Sequence, residues 1–303
     1  MAARSMETHR QALFGLCYRM TGSAADAEDL VQETFRKALE RPPPDTTRSL
    51  RPWLLKVATN LCIDSLRRRK REKYFGPWLP SPIDTERVVA SMEPGPEARY
   101  DLLESATSAF LTALEVLDPK QRAVLVLRDV LGLSGPETAE IVETSPGNVR
   151  VVLHRARRAL EGYDEERRGT VTPELRDRTA RMLREMLMRF GLGDMEGVAK
   201  LLAQDVTSVH DGGGEFIAAV RVHRGIEDVM HLYSNILPQS PWPKWAEERE
   251  LNGLPAIVFR YPERERKYAR SVVVWIELDA DGRIAALRSV IASAKLSAVR
   301  FPA

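Results

Sequence analysis

The stretch SGPETAEIVETSPGNVRVVLHRARRAL, Ser134 to Leu160, decides how the rest of the chain is understood. Ser134 and Glu137 have the spacing of a capping box, in which each side chain satisfies a backbone N–H that the first helical turn leaves unpaired. Ser145 can cap a second helix, and Pro146 suits its first position, where a missing N–H costs nothing. From there Val149, Val152, Leu153, Ala156 and Leu160 fall on one side of a helix, while Arg150, His154 and Arg157 fall on another. Two helices joined by a short turn, the second with a packed face and a basic face, have the geometry that sets a recognition helix in the major groove of DNA. An ordinary αα-corner with a solvated charged face would show the same local pattern, so the remainder of the chain has to decide.

At 303 residues the chain exceeds the usual size of one hydrophobic core, and two or three domains are expected. The formal net charge of +2 names no partner, but acidic and basic residues are segregated along the chain, and that arrangement is informative. No stretch approaches the roughly 18 to 20 apolar residues of a membrane span. The N-terminus, with Arg4, Glu7 and Arg10 close together, lacks a signal-peptide core, so a cytoplasmic protein with no membrane partner is expected. Cys17 and Cys62 lie far apart in helical apolar patterns and are expected in the core, with no disulfide, metal site or cofactor.

In the N-terminal third, Leu13, Leu16, Cys17 and Met20 make one helical stripe. GSAADAEDLVQETFRKALER makes a second helix with Leu30, Val31, Phe35, Ala38 and Leu39 inward, and Asp26, Glu28 and Asp29 near its start, where the helix dipole favours negative charge. Pro42, Pro43 and Pro44 stop it. A third helix runs from about Ser49 with Trp53, Leu54, Val57, Ala58, Leu61 and Ser65 on its buried side. It ends in the unbroken run Arg67, Arg68, Arg69, Lys70, Arg71, a terminal cationic cluster suited to phosphate contacts.

YRMTGSAADAEDLVQETFRKAL followed by LRPWLLKVATNLCIDSLRRRKR resembles region 2 of the extracytoplasmic-function sigma factors, and LDPKQRAVLVLRDVLGLSGPETAEIVETSPGNVRVVLHRARRAL resembles their region 4. The resemblance implies two all-α helical sigma domains, residues 1–72 for −10 recognition and polymerase docking and residues 101–162 for −35 recognition by a helix-turn-helix. Its implied partners are promoter DNA and core RNA polymerase, through the β′ clamp and β flap. It places Asp29, Gln32 and Glu33 on the β′ clamp surface, and Asn60 in a pocket for a base flipped from the −10 strand. Asp64, Arg67, Arg68, Arg69 and Lys70 adjoin that pocket, while Arg150, His154, Arg155, Arg157 and Arg158 face the −35 element. The chemistry agrees, since an amide can hydrogen-bond a base edge and such contacts help offset the cost of extruding the base. Glu143 stands where the family usually has the glycine of the turn, and Thr144 where it usually has an apolar residue, so a departure from the tight left-handed turn is expected there.

Residues 73–100 lose helical periodicity and gather Pro77, Pro80, Pro82, Pro94 and Pro96, which predicts an extended connector. Within it GPWLPSPI carries Trp78 and Leu79 between prolines, a stiff presentation suited to anchoring on another surface.

After the charged bridge Glu161 to Thr172, residues 173–303 change pattern. Helices through Leu183, Leu187 and Phe190 and near Val198 to Leu202 precede strand-like runs at Val206 to His210, Phe216 to His223, Leu254 to Tyr261, Ser271 to Asp279 and Ile284 to Ala292. A helix over Gly225 to Leu237 sits between strands, and Asn252-Gly253 and Asp281-Gly282 are hairpin signals. Helices first and a hairpin-rich sheet afterwards predict an α+β domain. This half resembles the SnoaL-like, NTF2-like fold, a curved sheet around helices forming a cone with an internal cavity, which could hold an unknown small ligand. In HDGGGEFIAAVRVHRG, three glycines exceed what a tight turn needs and leave backbone bare for close approach.

The combination resembles the sigma factors whose SnoaL-like extension regulates the sigma core in cis. It implies an interdomain regulatory contact of Asp211, Gly212, Gly213 and Gly214 with Trp78 and Leu79. Ser81 stands where that group more often has Glu, Glu215 where it has Lys, and IASAKL replaces an Asn-Pro-Asp-Lys-Leu-like motif. The expected function is transcription initiation, with no catalytic residues. Two other functions fit parts of the chain. A SnoaL-like cyclase or isomerase fused to a DNA-binding module would use His210, Asp211, His223 or His231 as general base. A free-standing repressor would explain Ser134 to Leu160 but not the N-terminal segments.

Overall fold

The computed structural model describes residues 6–41, 49–72, 74–89, 95, 98–166 and 171–302. The prolines at 42–44, Pro94, Pro96, Arg4 and residues 167–170 of the charged bridge lie outside them. The chain forms two compact units, one of Met1–Lys73 with Thr85–Thr170 and the other of Tyr74–Asp84 with Val171–Ala303. The segment expected as an independent connector is therefore divided between them.

In the first unit, α1 (Arg10–Thr21) ends at Gly22, whose φ of 67° lets its N–H reach back to Tyr18. Helix α2 (Ala24–Glu40) starts at Ser23, whose hydroxyl accepts from the Asp26 N–H. Leu30, Val31, Thr34 and Ala38 form its buried row, but Leu39, expected inward, is 59% exposed because it lies a third of a turn past that row. Helix α3 (Arg51–Arg71) gathers Arg68, Arg69, Lys70 and Arg71 in its last turn, where the dipole favours cations. It buries Leu54, Leu55, Ala58, Thr59, Cys62, Ile63 and Leu66, whereas Trp53, Val57, Leu61 and Ser65 are only half-buried. The buried side is thus rotated from the expected one, because α3 packs against α1 and α2 and also against later helices.

Residues expected as extended connector include the short helix α4 (Thr85–Val89). Helix α5 (Ser108–Ala113) is capped by Thr107, and α6 (Pro119–Leu125) by a capping box of Asp118 and Gln121. A π-turn over Val126–Val130 follows. Helix α7 (Gly135–Ile141) carries the Ser134 and Glu137 capping box, and α8 (Pro146–Ala159) is capped by Ser145. Between α7 and α8 the left-handed turn does form, with Glu143 at φ 51° and Thr144 donating to Ala139 at 2.9 Å. A non-glycine residue holds that conformation because helices capped on both sides determine the path. Helix α9 (Glu161–Glu166) follows.

The second unit is α+β. Helix α10 (Pro173–Leu192) starts at the Thr172 cap and ends at Gly193 with φ 72°, and α11 (Met195–Leu201) is capped by Asp194. The strands are β1 (Leu202–Asp211), β2 (His223–Arg224), β3 (Trp245–Leu251), β4 (Leu254–Arg260), β5 (Ser271–Leu278) and β6 (Ile284–Val290), with α12 (Gly225–Ile236) after β2. They form a six-stranded sheet in the order β2-β1-β6-β5-β4-β3. Only β1 and β6 run parallel among the paired strands. On one face Val206, Ile257, Ile276 and Leu287 pack under Leu183, Met186, Val198 and Val229 of the helices. On the other, Val209, Val258, Val273, Trp275 and Val290 meet Leu79, Leu296 and Val299.

Two strand expectations need correction. Phe216 to His223 is not a strand: only His223–Arg224 pairs with β1, while Ile217 and Val220 turn to solvent after the glycine turn. Strand β3 has no counterpart among the expected strands, because its sequence WAEEREL is mostly charged, as suits an edge open to water.

Candidate nucleic-acid interface

On α8, Val149, Leu153 and Ala156 pack inward and Val152 is half-buried, while Arg150, His154, Arg155 and Arg158 are exposed. Arg157 differs from the expected grouping. Its Nε and Nη2 donate to the two carboxylate oxygens of Asp129 at 2.9 and 2.7 Å, and Asp129 is only 1% exposed. Its guanidinium is committed to holding α8 on the π-turn, and the outward cationic row is Arg150, Arg155 and Arg158.

On α3, Asn60 is half-buried and Asp64, Arg67 and Arg68 are exposed, with Arg67 donating to Asp64 at 3.2 Å. Arg69 and Lys70 are engaged within the unit. Arg69 donates from Nη1 to the Thr21 carbonyl at 2.8 Å and from Nη2 to both carboxylate oxygens of Glu115, and Lys70 donates to the Leu117 carbonyl at 3.3 Å. The same Glu115 accepts from Arg122, which also donates to the carbonyls of Met20 at 2.9 Å and Leu114 at 2.6 Å. Arg19, wholly buried, donates to Ser105 Oγ, Leu102 and Gly15, and burial pulls its pKa down to about 10. Burial lowers the Arg122 pKa too, with Glu115 opposing. Residues 6–72 and the helices after Asp101 are thereby joined by buried guanidinium groups, to which Lys56 adds an ion pair with Glu143 at 3.0 Å.

Asp29 and Gln32 are exposed on α2, and Glu33 is held by Arg36 at 2.7 and 2.6 Å. Leu39 shares their side of the helix, which gives that face an apolar element.

In the second unit, Asp211 is fully buried and collects donors from the 74–84 segment: the Leu79 N–H at 2.7 Å and the Tyr74 hydroxyl. It also accepts from Lys295, which donates in turn to the Leu79 carbonyl. The Lys295 ammonium lies 4.4 Å from the Trp78 ring centroid and 4.6 Å from that of Tyr74. The Gly213 N–H donates to Asp211 at 3.1 Å, and a Cβ on Gly214 would come within 3.2 Å of Phe75. A Cβ on Gly212 would meet Ala218 at 2.9 Å. At the far end of the segment Ile83 and Asn252 exchange hydrogen bonds at 3.1 and 3.0 Å, and Asp84 bridges Leu251. The structure thus brings Trp78, Leu79 and the Asp211–Gly214 turn together around Lys295.

Sequence reasoning missed Lys295, Glu115, Arg122 and Arg19 as organising residues. IASAKL contained the lysine, in a short helical turn after β6, but its partner Asp211 lies far off in sequence at the end of β1; the arginines gave no signal that they would be buried.

Of the groups that could serve a general-base reaction, His210 and His223 lie near one another across β1 and β2, and Asp211 stands apart from them. His210 and Asp211 project to opposite faces of β1. His210 binds Ser208 at 3.0 Å and Ser289 at 2.7 Å, His223 binds Asp228 at 3.0 Å, and His231 is exposed. Among the described residues no group of three or more His, Cys, Asp or Glu could hold a metal, and no helix is long and apolar enough to cross a membrane.

Residues 6–72 match the family model described as Sigma-70 region 2, and residues 107–160 the one described as Sigma-70, region 4. The chain is 35% identical over 235 residues to the ECF RNA polymerase sigma factor SigJ of Mycobacterium tuberculosis, covering 77% of this chain and 72% of that one. To SigG of the same organism it is 33% identical over 298 residues, covering 92% and 71%. The crystal structure of M. tuberculosis SigJ superposes with a TM-score of 0.69 at 25% identity, covering 98% of this chain and 99% of that one.

Proposed function

The chain belongs to the extracytoplasmic-function RNA polymerase sigma factors, and from that premise we propose how its parts divide the work of directing core polymerase to promoters. Residues 1–72 open and hold the −10 element, with Asn60 receiving a base and Arg67 and Arg68 on phosphate. Residues 101–162 read the −35 element through Arg150, His154, Arg155 and Arg158. Asp29, Gln32 and Glu33 dock on the polymerase clamp. Residues 173–303 modulate initiation in cis, and the protein works in the cytoplasm, where its polymerase partner is.

The observation that carries this division is the meeting of Leu79, Tyr74 and Lys295 on the buried carboxylate of Asp211. The segment between α3 and α4 is covalently part of the DNA-reading half, yet Tyr74, Leu79 and Ile83 make their hydrogen bonds with the C-terminal domain. Tethering in one chain keeps the effective concentration of such a contact at about millimolar or above, so even a weak clasp is populated. Arg69 contacts DNA only after leaving the Glu115 carboxylate, a rearrangement within the first unit, whereas exposed Lys70 keeps donors free for phosphate beside its single bond to Leu117. A cyclase or isomerase reaction is not favoured, because three of its four candidate bases are already engaged, His210 by Ser208 and Ser289, His223 by Asp228, and Asp211 by Leu79 and Lys295.

The test is run-off transcription with core polymerase, the whole chain and templates carrying an intact, −10-scrambled or −35-scrambled promoter. Transcripts from a defined start, lost on scrambling either element, are expected; transcription indifferent to both would refute the assignment.

A further inference from the structure

Val151 lies on the outward side of α8 at 47% exposure, and it belongs to neither the packed row of that helix nor a core cluster. Its exposed neighbours on α8 are Asn148, Arg150, His154 and Arg155, all polar or cationic. One turn earlier Gly147 leaves the same surface bare, since a Cβ there would approach only the Ser145 hydroxyl, at 3.9 Å. Val151 is in the N-terminal half of the helix, the part that reaches base edges when a recognition helix enters the major groove. A β-branched residue is a poorer helix former than Ala and gains little from burial here. The surrounding row offers donors to purine edges, and an apolar side chain among them has one counterpart in the groove, the C5-methyl of thymine.

Building on the assignment of α8 to the −35 element, we infer that Val151 contacts a thymine methyl there and makes this chain discriminate thymine at one base pair. Gly147 leaves room for the base edge to approach, and Arg150 and His154 read its neighbours by hydrogen bonding. Scattered surface apolar residues are common in proteins. The placement of this one among base-reading side chains gives it a consequence that an incidental residue would lack.

The experiment uses full-length protein assembled with core polymerase, on a promoter recovered by selection from a randomised −35 library. Each thymine of the −35 duplex is replaced singly by deoxyuridine, which removes the methyl and leaves every hydrogen-bonding group in place. Wild-type holoenzyme should lose about fourfold in affinity at one position, the worth of one buried methyl group. Val151→Ala should abolish the thymine-to-uracil difference at that position, whereas Arg150→Ala should keep it while relaxing preference at a different base pair. The inference is overturned if no thymine shows a methyl effect, or if the effect survives in Val151→Ala. Failure of the underlying −35 assignment looks different: scrambling the whole element would then leave wild-type affinity unchanged.

Discussion

Glu115 offers both carboxylate oxygens to Nη2 of Arg69, at 2.7 and 2.6 Å, and so occupies a cation of the α3 run with an acid from the region 4 side of the same unit. A promoter phosphate would have to displace that carboxylate. Because the acid also serves Arg122, whose side chain is almost wholly buried, the cluster is structural as well as competitive.

Substitutions in this cluster should therefore be unequal. Arg122 Nε has no hydrogen-bond partner among the described residues, so Glu115→Ala takes the counter-charge from a buried guanidinium left with only the Met20 and Leu114 carbonyls and should destabilise the protein by about 2 to 3 kcal/mol. Arg69→Ala removes a half-exposed partner and should cost about 1 kcal/mol. Urea denaturation of the two variants decides it, and equal effects would contradict the picture.

Asn60→Ala should impair open-complex formation more than binding of core polymerase, because its amide is proposed to receive an extruded base. Replacing Arg67 and Arg68 together should reduce the slope of promoter affinity against salt by about 2, one for each phosphate left without its arginine. Permanganate footprinting reads the first effect and a salt titration the second.

Arg150 and Arg157, which helical periodicity groups together, should separate by experiment. Arg150→Ala should relax −35 preference at about 1 to 3 kcal/mol for one base pair and leave stability unchanged. Arg157→Ala should leave preference largely intact and cost about 2 kcal/mol of stability, because it removes the partner of the buried Asp129. Selection from a randomised −35 library and thermal melting would distinguish them.

That pair also shows what is legible in a sequence. Capping at Ser134 and Ser145, the rows of α8 and the change to an α+β pattern are local properties, carried by residues a turn or two apart. The commitment of Arg157 to Asp129 and of Arg69 to Glu115 depends on which distant segment folds against them, and periodicity carries no such information. The buried side of α3 is displaced for the same reason, since a helix with partners on two sides buries more than one stripe. In the C-terminal half the charged edge strand β3 resembles loop, and the apolar run from Phe216 resembles strand, because composition alone does not determine burial. Asp211 and the glycines stand out in the sequence; Lys295, which joins them to Trp78 and Leu79, becomes evident only in three dimensions.

His210 gives the C-terminal domain a pH dependence. Burial, helped by the nearby His223 and Arg288, lowers its pKa from 6.5 to about 4, so the folded protein keeps the ring neutral between Ser208 and Ser289. Above the unfolded pKa neither state is protonated there and the effect is absent. As pH falls from 6.5 towards 4 the unfolded chain takes up a proton that the folded chain refuses, and stability should drop by up to about 3 kcal/mol. His210→Asn should remove this component, so unfolding free energies of the two proteins should converge as pH is lowered; a constant difference would count against it.

The clasp between the C-terminal domain and the 74–84 segment is best tested by transcript yield in a run-off assay with core polymerase, comparing the wild-type chain with Trp78→Ala. Removing the ring that faces Lys295 should weaken the clasp by about 1 kcal/mol and change promoter-specific yield by about fivefold, in either direction, while the protein remains folded. A folded Trp78→Ala protein giving the wild-type yield at every promoter would show that the C-terminal domain does not act on initiation through this contact.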